Sequence, residues 1–437
     1  MIFGKYAAIA GAVAIGAIWP FATGQIGQSL YEQEIESMKS PYLTVETESY
    51  DRGYLSSDVV TRLSLTGEMK ALYESEGLPS SYTILSHVEH GLLGVSSIST
   101  LGMTPELTSL TEKLWQGDES PLTIVSETSL FGDTQLDVTV RAMDGDNEDF
   151  KITSSPANIS GTVDKDRNIV FEMEMPNLTI VSPEDETLSF NEITGSGQGK
   201  MVDEMWVGVQ QFNISKSAFT IDGETIDIAN LGVNAKNVVV TTDGSDVATA
   251  TKDALRIDSI NTLSFQEIDV PNILSLQNFK FGMNLLKLDY QSLITLATMS
   301  DAMGEEPSEE DVNKLVTVLD TLVEKGLTFE ILPLEMDTPE GNVNARFDLT
   351  IEPGLGSVTQ NITLLTSKLK GNLFVNVPAA YVNGVPEISA SIANLEPYGF
   401  ISETADGMTL TAKIEGDQAV SPSGQRVPIG LLMMMFM

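Results

Sequence analysis

Cysteine is absent from the 437 residues, histidine occurs only twice, and basic side chains number 24 against 62 acidic ones. Without cysteine there is no disulfide framework, no thiolate metal site and no cysteine nucleophile. The formal net charge of −38 opposes nucleic-acid backbones and anionic lipid surfaces alike, so no nucleic-acid partner is expected. The acidic residues are spread in ones and twos rather than gathered in a tail, as on a solvated surface that keeps a folded chain in solution.

Catalytic signatures are missing as well. There is no Gly-x-Ser-x-Gly elbow and no glycine-rich loop ending in the Lys-Ser/Thr of a phosphate cradle. "GSGQG" at 195–199 follows a polar strand pattern, precedes "KMVDEMWVGVQ", and reads as a loop. Glu172 with Glu174, and Asp144 with Asp146, are pairs of a kind that binds calcium or cleaves glycosides, but in so acidic a chain such pairs arise by chance. The two histidines, His87 and His90, flank Glu89 in "SHVEHGLLG" and resemble the His-x-x-Glu-His of a zinc helix with one residue missing. The run "SYTILSHVEH" has strand composition and ends at Gly91, and residues three apart on a strand point to opposite faces. A non-enzymatic chain with no metal and no cofactor is therefore expected.

What is present begins at the N-terminus. Residues 6–22, "YAAIAGAVAIGAIWPFA", form an uncharged small and apolar run after Lys5, in the pattern of a signal anchor that leaves everything downstream outside the cytoplasm. At about 1.5 Å per residue this run only just crosses a hydrocarbon layer of roughly 30 Å. From about residue 42 to 280 the pattern is alternation: "YLTVETESY", "VVTRLSLTGEMK", "QLDVTVRAM", "NIVFEMEMPNLTIV". Period-two runs separated by "DKDRN", "SPEDE" and "TTDGS" describe strands joined by turns, with an aliphatic face and a polar face.

Two helical stretches follow, 284–303 and 311–326. In the second, Leu315, Leu319, Leu322 and Val323 form a stripe expected to cover the aliphatic face. Ser308 stands three residues before Asp311 as a cap, and Gly326 is a stop. The expected fold is mainly β with α: large curved antiparallel sheets, an N-terminal membrane helix and an αα-hairpin near 284–326. The expected divisions are an anchor (1–24), a helical linker (25–41), a β-rich region (42–283), the helical pair (284–326) and a C-terminal β-rich region (327–437).

Several stretches together resemble one family over nearly the whole chain. After the apolar segment comes "YDRGYLSSD", with Tyr50, Arg52, Gly53, Tyr54, Ser56 and Ser57, then a strand ending in His90-Gly91. "ISKSAFTIDGETIDIANLG", the helical pair and the hairpin "LTFEILPLEMDTPEGN" follow in order, and "SPSG" stands near the end where the family has a Leu-Asn-Gly pattern. This order is similar to the YdgA-like proteins of Gram-negative bacteria. The resemblance implies a single-pass inner-membrane protein with its bulk in the periplasm and no assigned activity. Two function classes remain: a self-associating envelope scaffold that engages protein partners through sheet edges and exposed apolar patches, or a lipid-handling protein with an apolar groove, broadly as in AsmA-like bridge proteins. His90 falls on the family pattern and His87 does not, so a structural role at a strand end is expected for His90. Gly53 is expected to permit a bend, and Arg52 to bond a carbonyl or carboxylate.

Overall fold

The computed structural model describes residues 43–436 except 76, 147–149, 203–204, 272–273, 303–307, 356–361, 385 and 405–406. The anchor and helical linker expected over 1–41 lie outside the described residues. Among the described residues no helix is long and apolar enough to cross a membrane. The chain is mainly β with antiparallel pairing, and it divides into two compact units, one up to Thr225 and one over Ile226–Met437.

In the first unit, β1 (Leu43–Arg52), β2 (Ser56–Leu65), β3 (Ser81–His90), β4 (Gly94–Gly102), β5 (Leu122–Ser129) and β6 (Thr134–Val140) form a meander in chain order. Alternation decides which side is buried. Strand β2 buries Ser57, Val59, Thr61, Leu63 and Leu65 while Asp58 and Arg62 face water, and β6 buries Thr134, Leu136, Val138 and Val140. Two short strands, β7 (Asp144–Asp146) and β8 (Lys151–Ser154), pair with each other. Strand β9 (Ala157–Val163) joins β6 to β10 (Ile169–Val181), and β8 takes its place along the second half of β10. Pro176 falls at this changeover and has no register partner on either side, as a residue without an N–H requires. Strands β11 (Thr187–Val202) and β12 (Met205–Ile221) complete the series.

Helices α1 (Gly67–Ser75) and α2 (Pro105–Trp115) occupy the connections after β2 and β4. Helix α2 was not among the expected helices, although the sequence marks it: Leu107, Leu110 and Leu114 recur at helical spacing, Thr104 accepts from the Leu107 amide, and Pro105 occupies the first turn. Its Leu114 and Trp115 complete a core with Ile84, Leu122, Ile124, Leu136 and Val138. The Trp115 indole donates to the Arg141 carbonyl at 2.9 Å, so the ring is buried without an orphaned polar group.

The glycine-rich "GSGQG" is not a loop; it lies inside β11. Aromatic rings on the adjacent strands take the space that side chains would fill. A Cβ on Gly197 would stand 2.4 Å from the Phe171 ring, and one on Gly199 would stand 2.9 Å from the ring of Trp206. Phe171 and Trp206 themselves meet edge to face with centroids 6.1 Å apart. Polar, glycine-rich composition imitates a loop when the missing side chains are supplied by neighbours distant in sequence.

The second unit runs β13 (Glu224–Thr241), β14 (Leu255–Val270), β15 (Leu274–Asp289), β16 (Leu327–Thr338), β17 (Gly341–Ile351) and β18 (Leu369–Pro378) side by side. Strand β19 (Ile401–Thr404) and β21 (Gln418–Val420) pair with β20 (Gly407–Glu415), whose other edge meets β18; β22 (Arg426–Pro428) follows on β21. Helix α3 (Tyr290–Ala302) and α4 (Glu309–Glu324) form the hairpin. Short helices α5 (Ile362–Ser367), α6 (Ala379–Gly384), α7 (Pro386–Leu395) and α8 (Ile429–Phe436) lie nearer the C-terminus, where Leu395, Phe400, Leu410, Ala412 and Val427 make a separate core.

The helical pair departs from expectation in two ways. Residues 284–289 end β15 rather than opening a helix, because the strand stays paired with β14, through a register shift between Ser259 and Ile257, up to Arg256 opposite Asp289. The stripe on α4 is also rotated. Leu322 is buried and Leu315 and Val323 are half-buried, but Leu319 is 45% exposed, on the same side as the exposed Val312 one heptad earlier. The pair packs on itself and on the ends of β14 and β15, and Leu319 stays on the outer side of the hairpin. Leu319→Ala is therefore expected to change stability by no more than about 0.5 kcal/mol in chemical denaturation. The start of α4 follows the sequence: Ser308 and Asp311 form a reciprocal capping box, and those bonds hold the Asp311 carboxyl below the usual carboxylate range.

Candidate functional site

One end of the first unit's meander carries three consecutive hairpin turns, between β1 and β2, β3 and β4, and β5 and β6. Their tips present Tyr54 and Leu55, Leu92 and Leu93, and Leu130 and Phe131. These six large apolar side chains are between 56% and 96% exposed. Single exposed hydrophobics are ordinary, but pairs on three neighbouring turns form a patch.

The backbone beneath them is tightly built. The Gly53 amide donates to the Ser56 carbonyl at 2.7 Å, and a Cβ on Gly53 would lie 2.7 Å from that same oxygen. A Cβ on Gly94 would stand 2.2 Å from the Thr128 carbonyl oxygen, closer than any side chain allows. The turns are also tied to one another. The His90 amide donates to the Leu55 carbonyl at 2.7 Å, and the Leu130 amide donates to the Leu93 carbonyl at 3.1 Å. In the third turn the Ser129 hydroxyl accepts from the amides of Phe131 and Asp133, which fixes the loop in place of a helix or ladder bond.

Side chains on the buried face carry the same task. Ser57 Oγ and His90 Nε2 share a hydrogen bond of 3.0 Å, and next to them lie the hydroxyl pairs Ser97–Ser126 at 2.8 Å and Thr128–Thr134 at 3.0 Å. A serine beside a histidine suggests a nucleophile, but Ser57 is only 1% exposed, and among the described residues the His90 ring bonds to no carboxylate. The pair acts as a latch that joins β2 to β3 just below the first two tips. His87 projects from the other face, where its Nδ1 lies 2.6 Å from Asp58 Oδ1 among exposed side chains. The two histidines thus have separate partners on opposite faces. Among the described residues, no group of three or more His, Asp or Glu side chains is placed to hold a metal ion.

The resemblance motif therefore assembles in space. Gly53, Ser56, Ser57, His90 and Gly91 build the turns, Tyr54 is displayed on one of them, and Tyr50 packs inward against the core. Arg52 ends β1, is exposed, and has no ion pair among the described residues. The chain belongs to a bacterial family of unknown function. The family model, described as "Bacterial protein of unknown function (DUF945)", matches residues 5–416 and so takes in every residue of this end. No curated protein and no solved structure matches the chain.

The motif had pointed to Tyr54 but not to Leu55, Leu92, Leu93, Leu130 or Phe131. Their signal was available in the sequence, since each apolar pair stands next to a glycine at a place where strand alternation breaks. Behind the tips lies an open cleft of about 1020 Å³, lined by Leu55, Leu93, His90, Glu127 and Asp133 among others. A fourth turn beside them, Asp164–Asn168, is charged rather than apolar. There the side chain of Asn168, followed by its backbone amide, holds the Asp164 carboxyl below the usual range.

Proposed function

We propose that this protein is a non-catalytic scaffold of the bacterial cell envelope, anchored in the inner membrane through residues 6–22, with its β-rich bulk in the periplasm, where it associates with itself or with another envelope protein. The YdgA-like resemblance supports the compartment. The observation that carries the reading is the surface of the long strands. Strand β13 has 18 residues, a span of about 60 Å, and Val233 is the one large apolar residue of that strand that is exposed.

 Val233 stands exposed near the middle of that strand. Its counterparts on other long strands are Val209 and Phe212 on β12 and Leu263 on β14, all more than a third exposed. Most other residues of β11 and β12 in the first unit, and of β13 to β15 in the second, are half-buried or exposed. Surfaces of this kind are where partners bind.

Photo-crosslinking in living cells tests the reading. A photoreactive residue at Val209 or Val233 should give covalent adducts with a second copy or with one defined polypeptide, and a reporter active only in the cytoplasm, fused after Met437, should stay silent. Absence of any protein adduct at both positions sinks the scaffold reading, and an active reporter sinks the orientation.

A second reading, lipid binding, is favoured by one feature of the second unit. Across β14 to β17 the register aligns Leu263, Phe281, Leu334 and Ala345 in one row and Met283, Ile331 and Phe347 in the next. These rows are exposed or half-buried, and they continue across β18 to Leu410 and Ala412, which the C-terminal core covers completely. An aliphatic and aromatic face left partly open is suited to acyl chains. Lipid adducts at Leu263 in place of protein adducts would favour this reading over the scaffold.

A further inference from the structure

The three apolar tips are convex. Each side chain projects from its own turn with little support from its neighbours, while the backbone below is held by inter-turn hydrogen bonds. The cleft behind them takes in Leu55 and Leu93 but none of Tyr54, Leu92, Leu130 and Phe131, and these four stand as separate prongs rather than as the continuous surface that protein partners match at high complementarity. A fluid apolar phase accommodates separate prongs without needing a matching shape. Tyrosine and phenylalanine among leucines also suit the boundary of such a phase, where amphipathic rings settle.

Charge narrows the choice of surface. The turn beside the tips carries Asp164, Lys165, Asp166 and Arg167 in alternating sign, the strands behind carry Glu89 and Glu127, and the third turn itself carries Asp133. Acidic groups outnumber basic ones here, as in the whole chain, so an anionic surface is disfavoured, whereas dipolar headgroups can meet both signs. Chain length permits the contact. Residues 25–41 span about 25 Å as a helix and at most about 60 Å when extended, and the ten residues of β1 span about 33 Å, so the contact requires this linker to be largely extended, and it then lets the far end of β1 return to the same membrane.

We propose that the three hairpin tips, led by Tyr54, Leu92 and Phe131, insert together into the interfacial layer of a zwitterionic lipid bilayer. This gives the protein a second membrane contact beside its N-terminal apolar segment, and it rests on the reading of that segment as an anchor. The contact fixes how the first unit stands on the membrane.

The absence of cysteine makes the test direct. Single replacements Leu92→Cys, Phe131→Cys and, on α1 at the other end of the meander, Lys70→Cys are introduced into the full chain and labelled with an environment-sensitive fluorophore. Each chain is then reconstituted into phosphatidylcholine and phosphatidylethanolamine vesicles. The expected result is a blue shift at positions 92 and 131, with loss of emission when the lipids carry brominated acyl chains, and neither change at position 70. Adding anionic lipid should not strengthen the effect. A chain that floats with the vesicles but keeps solvent-like, unquenched label at 92 and 131 overturns the inference and leaves the anchor reading standing. A blue shift without bromolipid quenching, accompanied by disulfide formation between unlabelled Phe131→Cys chains, overturns it in favour of contact between copies. A chain that does not float at all overturns both readings.

Discussion

Replacing Asp289 with alanine is expected to destabilise the second unit by about 3 to 5 kcal/mol, the usual range for removing one partner of a buried ion pair. Asp289 and Arg256 are both nearly inaccessible, with Nη1 and Oδ1 3.3 Å apart, and Arg256 also donates to the carbonyls of Asp253 and Leu255. The second carboxylate oxygen accepts from the amide and hydroxyl of Ser292, at 3.0 Å and 2.8 Å, at the start of α3. Lys325, just past the end of α4, approaches the same carboxylate at 3.8 Å. One side chain thus closes the end of β15, caps one helix and touches the end of the other. Its loss leaves a buried guanidinium without its counter-charge. Hydrogen exchange of the α3 amides should accelerate, and the urea midpoint of the purified chain should fall. Combining Asp289→Leu with Arg256→Met should recover much of the loss, since an apolar pair of similar volume removes the stranded charge. Wild-type exchange in α3 of the alanine variant would show that the network contributes little.

Leu136→Ala is the counterpart in the first unit, with an expected cost of about 2 to 5 kcal/mol. Leu136 has no accessible surface, and it lies in the core that α2 completes with Leu114 and Trp115. Truncation removes apolar contacts on every side and leaves a cavity in a place where strands on both sides of β6 hold the backbone. Near-ultraviolet circular dichroism, to which the buried Trp115 contributes, should lose intensity at a lower denaturant concentration than in the parent. A midpoint that does not move would mean that the core collapses freely around the gap. The contrast with Leu319→Ala is one of burial alone, since both changes remove the same atoms.

Alternation in stretches such as "QLDVTV" was enough to identify β6 and to say which residues face inward, because the side-chain period of a strand depends only on the local backbone. Ser308 and Asp311 announced the start of α4 for a similar reason, as a cap is made within four residues. The resemblance motif covers the first turn and the start of the second but not the third, and Gly53 and His90 have local and cross-strand roles consistent with building them. Helix α2 was missed although Thr104, Pro105 and the spacing of Leu107, Leu110 and Leu114 mark it, because it is a short insertion in a run of alternation; its apolar face is completed by strands on either side of it in sequence.

The sequence by itself determined the mainly β class, the acidic surface, the missing cysteine chemistry and the position of the second helix of the hairpin, since composition and short-range spacing are properties of the chain alone. Tertiary structure decided the rest. It placed "GSGQG" within a strand because Phe171 and Trp206 fill the space above its glycines. It turned Leu319 toward water because the partner of α4 is α3 rather than a sheet face. It also set three turns, separated by about forty residues each in sequence, side by side at one end of the first unit, because antiparallel pairing returns alternate connections to the same end. Register is settled by the whole face that must be buried and not by any single stretch, so no reading of one turn at a time could show that their apolar tips form one surface.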